Sequence, residues 1–197
     1  MFTGIIAAVG SITRIDPTTG GQRLVIDAGG LDMADVAIGD SIAVNGVCLT
    51  AVVKSARGFE ADVSRETLRV TTGLAAPAEV NLEKSLRLAD RLGGHLVSGH
   101  VDGVGEVLRF DALGDNRLLA IRAPADIARY IARKGSITVQ GVSLTVNAVS
   151  GADFEINLIP HTIAVTTLRN LKPGSPVNLE VDMMARYAER MLGTPSG

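Results

Sequence analysis

The chain contains 197 residues, of which 46% are apolar, and this composition indicates a globular protein rather than a disordered or fibrous one. A net charge of -2 disfavours nucleic-acid binding, and four Phe, two Tyr and no Trp leave few side chains for stacking on bases. The single cysteine excludes an internal disulfide.

The N-terminus lacks the basic region of a secretory signal, and no apolar run approaches the roughly 20 residues of a membrane helix. One Cys and three His without paired spacing disfavour a structural zinc site. We therefore expect a cytoplasmic, β-rich protein that binds neither metal, membrane nor nucleic acid.

A tandem repeat organises the chain. Residues 41–50 align with residues 136–145, an offset of 95, and seven of these ten positions are identical. After a two-residue shift, Val80-Asn81-Leu82-Glu83 matches Val177-Asn178-Leu179-Glu180. We therefore predict two copies of one domain, at residues 1–94 and 95–197, the second of which includes a short tail.

The first copy is predicted as six short strands. Asn45-Gly46 is a hairpin-turn pair between β-branched runs, and strand spacings of about ten residues favour a small closed barrel without free sheet edges. A short, poor helix pattern covers Leu31 to Val36.

The second copy repeats this pattern, with a turn at Gln140-Gly141, and adds a predicted helix over Ala125 to Lys134 between a proline and a glycine. In the tail, the apolar side chains of residues 184, 187, 188 and 191 share one face of a predicted helix over residues 183–192. Ten residues are marginal as an isolated helix, so we expect this face to pack on its own domain or on another subunit.

Polar residues cluster at matched places in the two copies. Cys48-Leu49-Thr50 and Ser143-Leu144-Thr145 coincide in the repeat, and so do Glu66-Thr67 and His161-Thr162. Matched placement predicts two related pockets with aliphatic walls, suited to a flat polar heterocycle. The alternatives are a cysteine that only packs and hydroxyls that only bond to backbone. His100 is either a base or a structural histidine, and its spacing from His95 is poor for a metal site.

Five motifs carry a resemblance to a known family. They are Met1-Phe2-Thr3-Gly4-Ile5-Ile6, residues 45–50, residues 93–103, residues 141–146 and residues 158–162. In this order, and over essentially the whole chain, the sequence resembles riboflavin synthase of the alpha-chain type.

The resemblance implies an all-β fold of two tandem six-stranded antiparallel Greek-key barrels, followed by a C-terminal α-helix at about residues 183–193 that holds a homotrimer. It implies dismutation of two 6,7-dimethyl-8-ribityllumazine molecules to riboflavin and 5-amino-6-(ribitylamino)uracil, without metal or redox cofactor. The active site would lie between the N-terminal barrel of one subunit and the C-terminal barrel of another. Association with lumazine synthase is a further possible partnership.

Site residues follow from the same resemblance, position by position. The N-terminal pocket would use Gly4, Ile5, Ile6, Cys48, Leu49, Thr50, Asp62, Val63, Ser64, Arg65, Glu66 and Thr67. The C-terminal pocket would use Gly99, His100, Val101, Lys134, Ser143, Leu144, Thr145, Asn157, Leu158, Ile159, Pro160, His161 and Thr162. Ser41 and Asp182 are further site positions.

Three of these residues are predicted to be catalytic. His100 would assist proton transfer in the C-terminal pocket, while Cys48 and Ser143 would occupy equivalent places and assist the movement of water or protons. Lys134 would neutralise charge or contact the ligand. The alternatives are a non-catalytic lumazine protein that binds its ligand as an optical antenna, and a barrel that serves only in oligomerisation or nucleic-acid binding.

Overall fold

The computed structural model describes residues 1–193, which form twelve strands, four short α-helices and one 3₁₀ turn. The strands of the first copy are β1 Ala8–Thr18, β2 Gly21–Asp27, β3 Ser41–Val44, β4 Val47–Lys54, β5 Gly58–Ser64 and β6 Ala78–Lys84. Those of the second are β7 Gly103–Leu113, β8 Asn116–Arg122, β9 Ser136–Val139, β10 Val142–Ser150, β11 Asp153–Leu158 and β12 Pro176–Val181. The helices are α1 Arg65–Val70, α2 Ala125–Ala128, α3 Pro160–Val165 and α4 Met183–Leu192, and a 3₁₀ turn at Thr167–Asn170 follows α3.

Each copy closes into an antiparallel barrel. The strand order is β1-β2-β5-β4-β3-β6 in the first barrel and β7-β8-β11-β10-β9-β12 in the second, and the last strand of each pairs with the first. Closure leaves each sheet without a free edge. The predicted fold of two six-stranded antiparallel barrels with a C-terminal helix is confirmed.

The two barrels have separate aliphatic cores. Alternation along β2 buries Leu24 and Ile26, and the same alternation along β11 buries Phe154 and Ile156. A buried phenylalanine lies in each core, Phe59 in the first and Phe154 in the second, among Ile, Leu and Val side chains. Burial of this apolar surface is the main stabilising contribution in each copy.

The predicted hairpin turns are confirmed, and they meet at the contact between the barrels. Asn45 and Gly46 have φ angles of 48° and 81°, and Gln140 and Gly141 have 50° and 80°. Two consecutive left-handed residues define the turn that Asn-Gly favours. A Cβ on Gly46 would lie 2.8 Å from the Gly141 nitrogen, so the two turns are in direct contact.

Of the predicted helices, the one over residues 125–134 is shorter than predicted, and the one over residues 31–36 is not formed. The segment from Ala125 forms a helix only to Ala128, after which the Tyr130 and Ile131 amides make turn-type hydrogen bonds to carbonyls three residues earlier. Lys134 has a left-handed φ of 66°, and its amide donates to the Val146 carbonyl of β10, so the helix cannot extend to residue 134. Residues 31–36 form turns and loop, since the Asp32 carboxylate accepts a hydrogen bond from the Ala34 amide and bends the chain locally.

The predicted tail helix is confirmed as α4. The Asp182 carboxylate caps it by accepting from the Met184 amide, and Gly193 ends it with a left-handed φ of 64°. Met184, Tyr187 and Met191 are 67%, 63% and 79% exposed, so the predicted apolar face is uncovered in the single chain.

In the described part of the chain, the helices are all too short or too polar to cross a membrane.

Candidate active site

Cys48 and Ser143 occupy equivalent positions in the two barrels. Each is the second residue after a hairpin turn; Cys48 on β4 faces Ala43 on β3, and Ser143 on β10 faces Thr138 on β9. Both side chains are partly buried. The repeat therefore places a thiol in the first barrel where the second barrel has a hydroxyl.

A backbone segment covers each of these two side chains. The Ser143 amide donates to the Gly4 carbonyl at 2.8 Å, and the Cys48 amide donates to the Gly99 carbonyl at the same distance. We call residues 3–6 and 98–101 the crossing segments, because each belongs in sequence to one repeat and lies on the barrel of the other.

The crossing segments reverse the grouping predicted from the sequence. Gly4, Ile5 and Ile6 were expected in the N-terminal pocket, but Ile6 packs against the core of the second barrel. Residues 99–101 were expected in the C-terminal pocket, but Val101 packs against the core of the first. The reason is that β1 and β7 begin only at residues 8 and 103, so the crossing segments lie outside the strand pairing of their own barrels and extend onto the other barrel.

The predicted placement of His100 is wrong for the same reason. His100 follows Gly99 directly, so it lies at the Cys48 end of the first barrel rather than beside Ser143. Its side chain is exposed, and its amide donates to the Ser98 hydroxyl at 3.2 Å.

Close contact requires glycine in both crossing segments. A Cβ on Gly4 would lie 2.6 Å from the Ser143 Cβ, and a Cβ on Gly99 would lie 2.7 Å from the Cys48 Cβ. Both glycines also have a left-handed φ, +75° and +79°. The absence of a side chain therefore allows the backbone to approach each polar group.

His95, which sequence reasoning did not select, is the direct partner of Ser143. Its Nδ1 lies 2.7 Å from Ser143 Oγ, and its Nε2 lies 3.4 Å from Thr138 Oγ1. Burial lowers the pKa of His95, while the negative charge of Asp182 acts in the opposite direction. A neutral imidazole hydrogen-bonded to a hydroxyl can accept or relay a proton at neutral pH.

The repeat could not identify His95. Its counterpart in the first copy would precede Met1, so the comparison of the two copies has nothing to align with it. Its spacing from His100 bears only on a metal site, for which a separation of five residues is poor. The one available signal was its place within the motif of residues 93–103, directly after two glycines.

Two carboxylates of the predicted N-terminal pocket form ion pairs. Asp62 accepts two hydrogen bonds from Arg23, at 2.7 and 2.8 Å, and Glu66 pairs with Arg69 on α1. Hydrogen bonds from these guanidinium groups lower the pKa of both carboxyls. Asp62 and Glu66 are therefore anionic and paired at neutral pH, which makes them poor candidates for proton transfer.

The hydroxyls of Ser64 and Thr67 lie together where β5 passes into α1. The two oxygens are 3.0 Å apart, and Ser64 Oγ also accepts from the Thr67 amide as the cap of the helix. Between Asp62 and Ser64, Val63 points into the barrel core and is 3% exposed. Because side chains alternate along a strand, Val63 packs in the core beneath the predicted pocket, while Asp62 and Ser64 face outward.

Asn157 leaves an unsatisfied acceptor in the second barrel. It is the repeat counterpart of Asp62, but the counterpart of Arg23 is Leu118, which offers no donor. Asn157 Oδ1 is consequently buried without a hydrogen-bond partner among the described residues. An unpaired buried acceptor is costly, so this oxygen is suited to a donor group on a ligand.

The other predicted residues are distributed around these groups. Leu49 and Leu158 are buried in the barrel cores, and Ser41, Leu144, Thr162 and Asp182 are half-buried. The exposed members are Ile5, Thr50, Arg65, Lys134, Thr145, Ile159, Pro160 and His161.

Comparison with known proteins identifies both repeats. A family model described as the lumazine binding domain matches residues 3–85 and again residues 98–182. A riboflavin synthase from Photobacterium phosphoreum is 48% identical over 194 residues, which cover 98% of this chain and 89% of the relative. A riboflavin synthase from Brucella abortus is 43% identical, covering 97% of this chain and 98% of the relative.

Solved structures show the same architecture. A crystal structure of LumP complexed with 6,7-dimethyl-8-(1'-D-ribityl)lumazine superposes with a TM-score of 0.81 and 28% identity. LumP complexed with riboflavin gives a TM-score of 0.82 and 30% identity. Both comparisons cover 92% of this chain and 99% of the other.

Proposed function

The chain belongs to the riboflavin synthase family, and we propose that it converts two molecules of 6,7-dimethyl-8-ribityllumazine into riboflavin and 5-amino-6-(ribitylamino)uracil. The duplicated domain, with Cys48 in one copy and Ser143 at the equivalent position of the other, carries the proposal. The reaction consumes two copies of one substrate in different roles, which suits two related but non-identical pockets. One lumazine gives up a four-carbon unit to the other, so the enzyme is a transferase.

The side chains fit the proton chemistry of this reaction. The C7 methyl of one lumazine loses a proton, and the ring delocalises the resulting charge, so a modest base is sufficient. The neutral His95–Ser143 pair supplies a proton acceptor and a hydroxyl. Asn157 Oδ1 accepts from a ring N–H or a ribityl hydroxyl, and Lys134 balances negative charge on the ring.

Holding the two substrates close together contributes to the rate as well as the proton chemistry does. Holding two rings face to face converts an encounter of two substrates into a reaction within one complex. We infer that the first-barrel pocket of one subunit faces the second-barrel pocket of another in a homotrimer joined through α4. Association with lumazine synthase and a cytoplasmic location remain predictions of the family resemblance.

Product formation tests the proposal. The purified chain, incubated with dimethyl-ribityllumazine alone, is expected to release riboflavin and the aminouracil in equal amounts, followed by absorbance and chromatography. The Ser143→Ala variant, with unchanged unfolding temperature, is the matched control and should be much slower. Tight binding of the lumazine without flavin formation would instead identify a light-absorbing binding protein.

A further inference from the structure

The repeated strand motif Val-Asn-Leu-Glu has no role in the pockets described above. In β6, Val80 and Leu82 are fully buried in the barrel core, so alternation directs Asn81 and Glu83 to the outer face of the strand. There they are only 1% and 6% exposed. Asn178 and Glu180 of β12 are buried equally, at 2% and 4%.

Both glutamates bind a crossing segment. Glu180 Oε1 accepts from the amide and hydroxyl of Ser98, at 2.6 and 2.7 Å, and its Oε2 accepts from the Gly99 amide at 2.9 Å. Glu83 binds Thr3 and Gly4 through the same three kinds of donor, at 2.7, 2.6 and 2.9 Å. Hydrogen bonds to an ionised acceptor are the strong kind.

Both asparagines bind the chain just beyond a short helix. Asn178 Oδ1 accepts from the Thr72 amide at 2.8 Å, and its Nδ2 donates to the Thr72 carbonyl at 3.1 Å. Asn81 Oδ1 accepts from the Thr167 amide, also at 2.8 Å. Thr72 follows α1 in the first barrel, and Thr167 follows α3 in the second, so each asparagine reaches across to the other barrel.

We propose that the asparagine and glutamate of each strand are positioning residues for the pocket of the other barrel. β12 holds the segment that covers Cys48 and the loop after α1, whereas β6 holds the segment that covers Ser143 and the loop after α3. The catalytic meaning of this arrangement rests on the proposed function, but the positioning itself does not. The pocket of each barrel therefore depends on side chains from the last strand of the other barrel.

Electrostatics support the assignment. Burial raises the pKa of Glu83 and of Glu180, and the three donors on each crossing segment oppose that shift. Releasing a crossing segment would leave a buried carboxylate unpaired, which is unfavourable. Replacement of Glu180 by Gln keeps the volume but turns an N–H group toward the Gly99 amide, so one of the three hydrogen bonds becomes a repulsion.

The single cysteine reports on this release. Gly99 lies directly on Cys48, so loosening of residues 98–101 exposes the thiol to alkylation by iodoacetamide. The full-length Glu180→Gln protein is expected to alkylate about tenfold faster than wild type, which corresponds to about 1.4 kcal/mol. Ser98→Ala, which removes one donor and leaves β12 intact, should give a rise of about threefold.

Two controls separate positioning from general destabilisation. Glu83→Gln acts first on the segment at Ser143 and reaches Cys48 only through the contact with Phe2, so it should accelerate alkylation of Cys48 much less than Glu180→Gln does. Val177→Ala creates a cavity in the same strand as Glu180 but keeps its carboxylate, so it should lower the unfolding temperature without changing the alkylation rate.

The outcomes are distinct. Unchanged alkylation in both Glu180→Gln and Ser98→Ala, or equal acceleration in Val177→Ala, would overturn the positioning role. For riboflavin formation, Glu180→Gln should lower kcat more than Val177→Ala at matched stability. If wild type forms no riboflavin while Glu180→Gln still alkylates faster, the proposed function fails and the positioning role stands.

Discussion

At the scale of single residues, burial of His95 links folding to pH. Its pKa is lowered from 6.5 in the folded chain, so the unfolded chain binds a proton more readily as pH falls through 6.5. The contribution of His95 to the free energy of unfolding is therefore expected to decrease from pH 8 to pH 5.5. In His95→Gln this part of the decrease should be absent, as measured by urea unfolding across the same range.

His161→Gln is the matched control, because His161 is exposed on α3, and it should keep the wild-type slope. Glu83 and Glu180 act with the opposite sign, since a raised carboxyl pKa makes stability fall as pH rises above 4.5. Both glutamates are present in all three proteins, so their effect cancels in the comparison. Equal slopes for wild type and His95→Gln would contradict the prediction.

Ser143 and His95 should act as one unit in catalysis. Their atoms share a 2.7 Å hydrogen bond, so removing either partner interrupts the same proton path. We expect Ser143→Ala and His95→Gln each to lower kcat about 100-fold, and the double variant to be no slower than the slower single variant. Stopped-flow rates of flavin formation test this cycle, and multiplication of the two losses would show that the residues act independently.

At the scale of elements, sequence reasoning succeeded where the determinants are local. Asn45-Gly46 and Gln140-Gly141 require left-handed backbone, and the tail helix has its own cap at Asp182, so each could be predicted from a few adjacent residues. The helix at Ala125 cannot extend to Lys134 as predicted, because the Lys134 amide pairs with β10, a partner distant in sequence.

The crossing segments could not be predicted for a similar reason. Motif order assigns Gly4 and Gly99 to the barrels that follow them, and nothing adjacent in sequence indicates that Glu83 and Glu180 bind them across about 80 residues. Residues 4–6 and 99–101 are thus grouped by sequence order with the wrong barrels.

The exposed face of α4 should hold the proposed trimer. Glu189 is anchored to Tyr130 and Arg129 of the same chain, so the helix keeps its place while Tyr187 and Met191 remain uncovered. The double variant Tyr187→Lys, Met191→Lys is expected to be monomeric. Its unfolding temperature should match that of a chain truncated after residue 182, which lacks α4. Arg190→Gln, on another face of α4, is the control and should leave the oligomer intact. Light scattering measures the mass, and an oligomer that survives both lysines would exclude this face.

At the scale of the whole molecule, the two barrels form one interlocked unit. The hairpin turns meet at Gly46 and Gly141, and each crossing segment carries backbone from one repeat onto the other barrel. The boundary between residues 94 and 95 remains a prediction, and it falls in the connection from β6, which ends at Lys84, to β7, which begins at Gly103. Residues 194–197 of the predicted second domain lie outside the described residues.

Complementation between inactive variants tests whether active sites form between subunits. Cys48→Ala damages only the first-barrel pocket, and Ser143→Ala damages only the second. In randomly mixed oligomers with equal amounts of the two chains, an intact first pocket faces an intact second pocket of another chain in about one quarter of the sites. Refolding the two variants together should therefore restore riboflavin formation to about a quarter of the wild-type rate, whereas mixing without refolding should not. If each site lies within one chain, every site keeps one damaged pocket, and the refolded mixture stays as slow as the single variants.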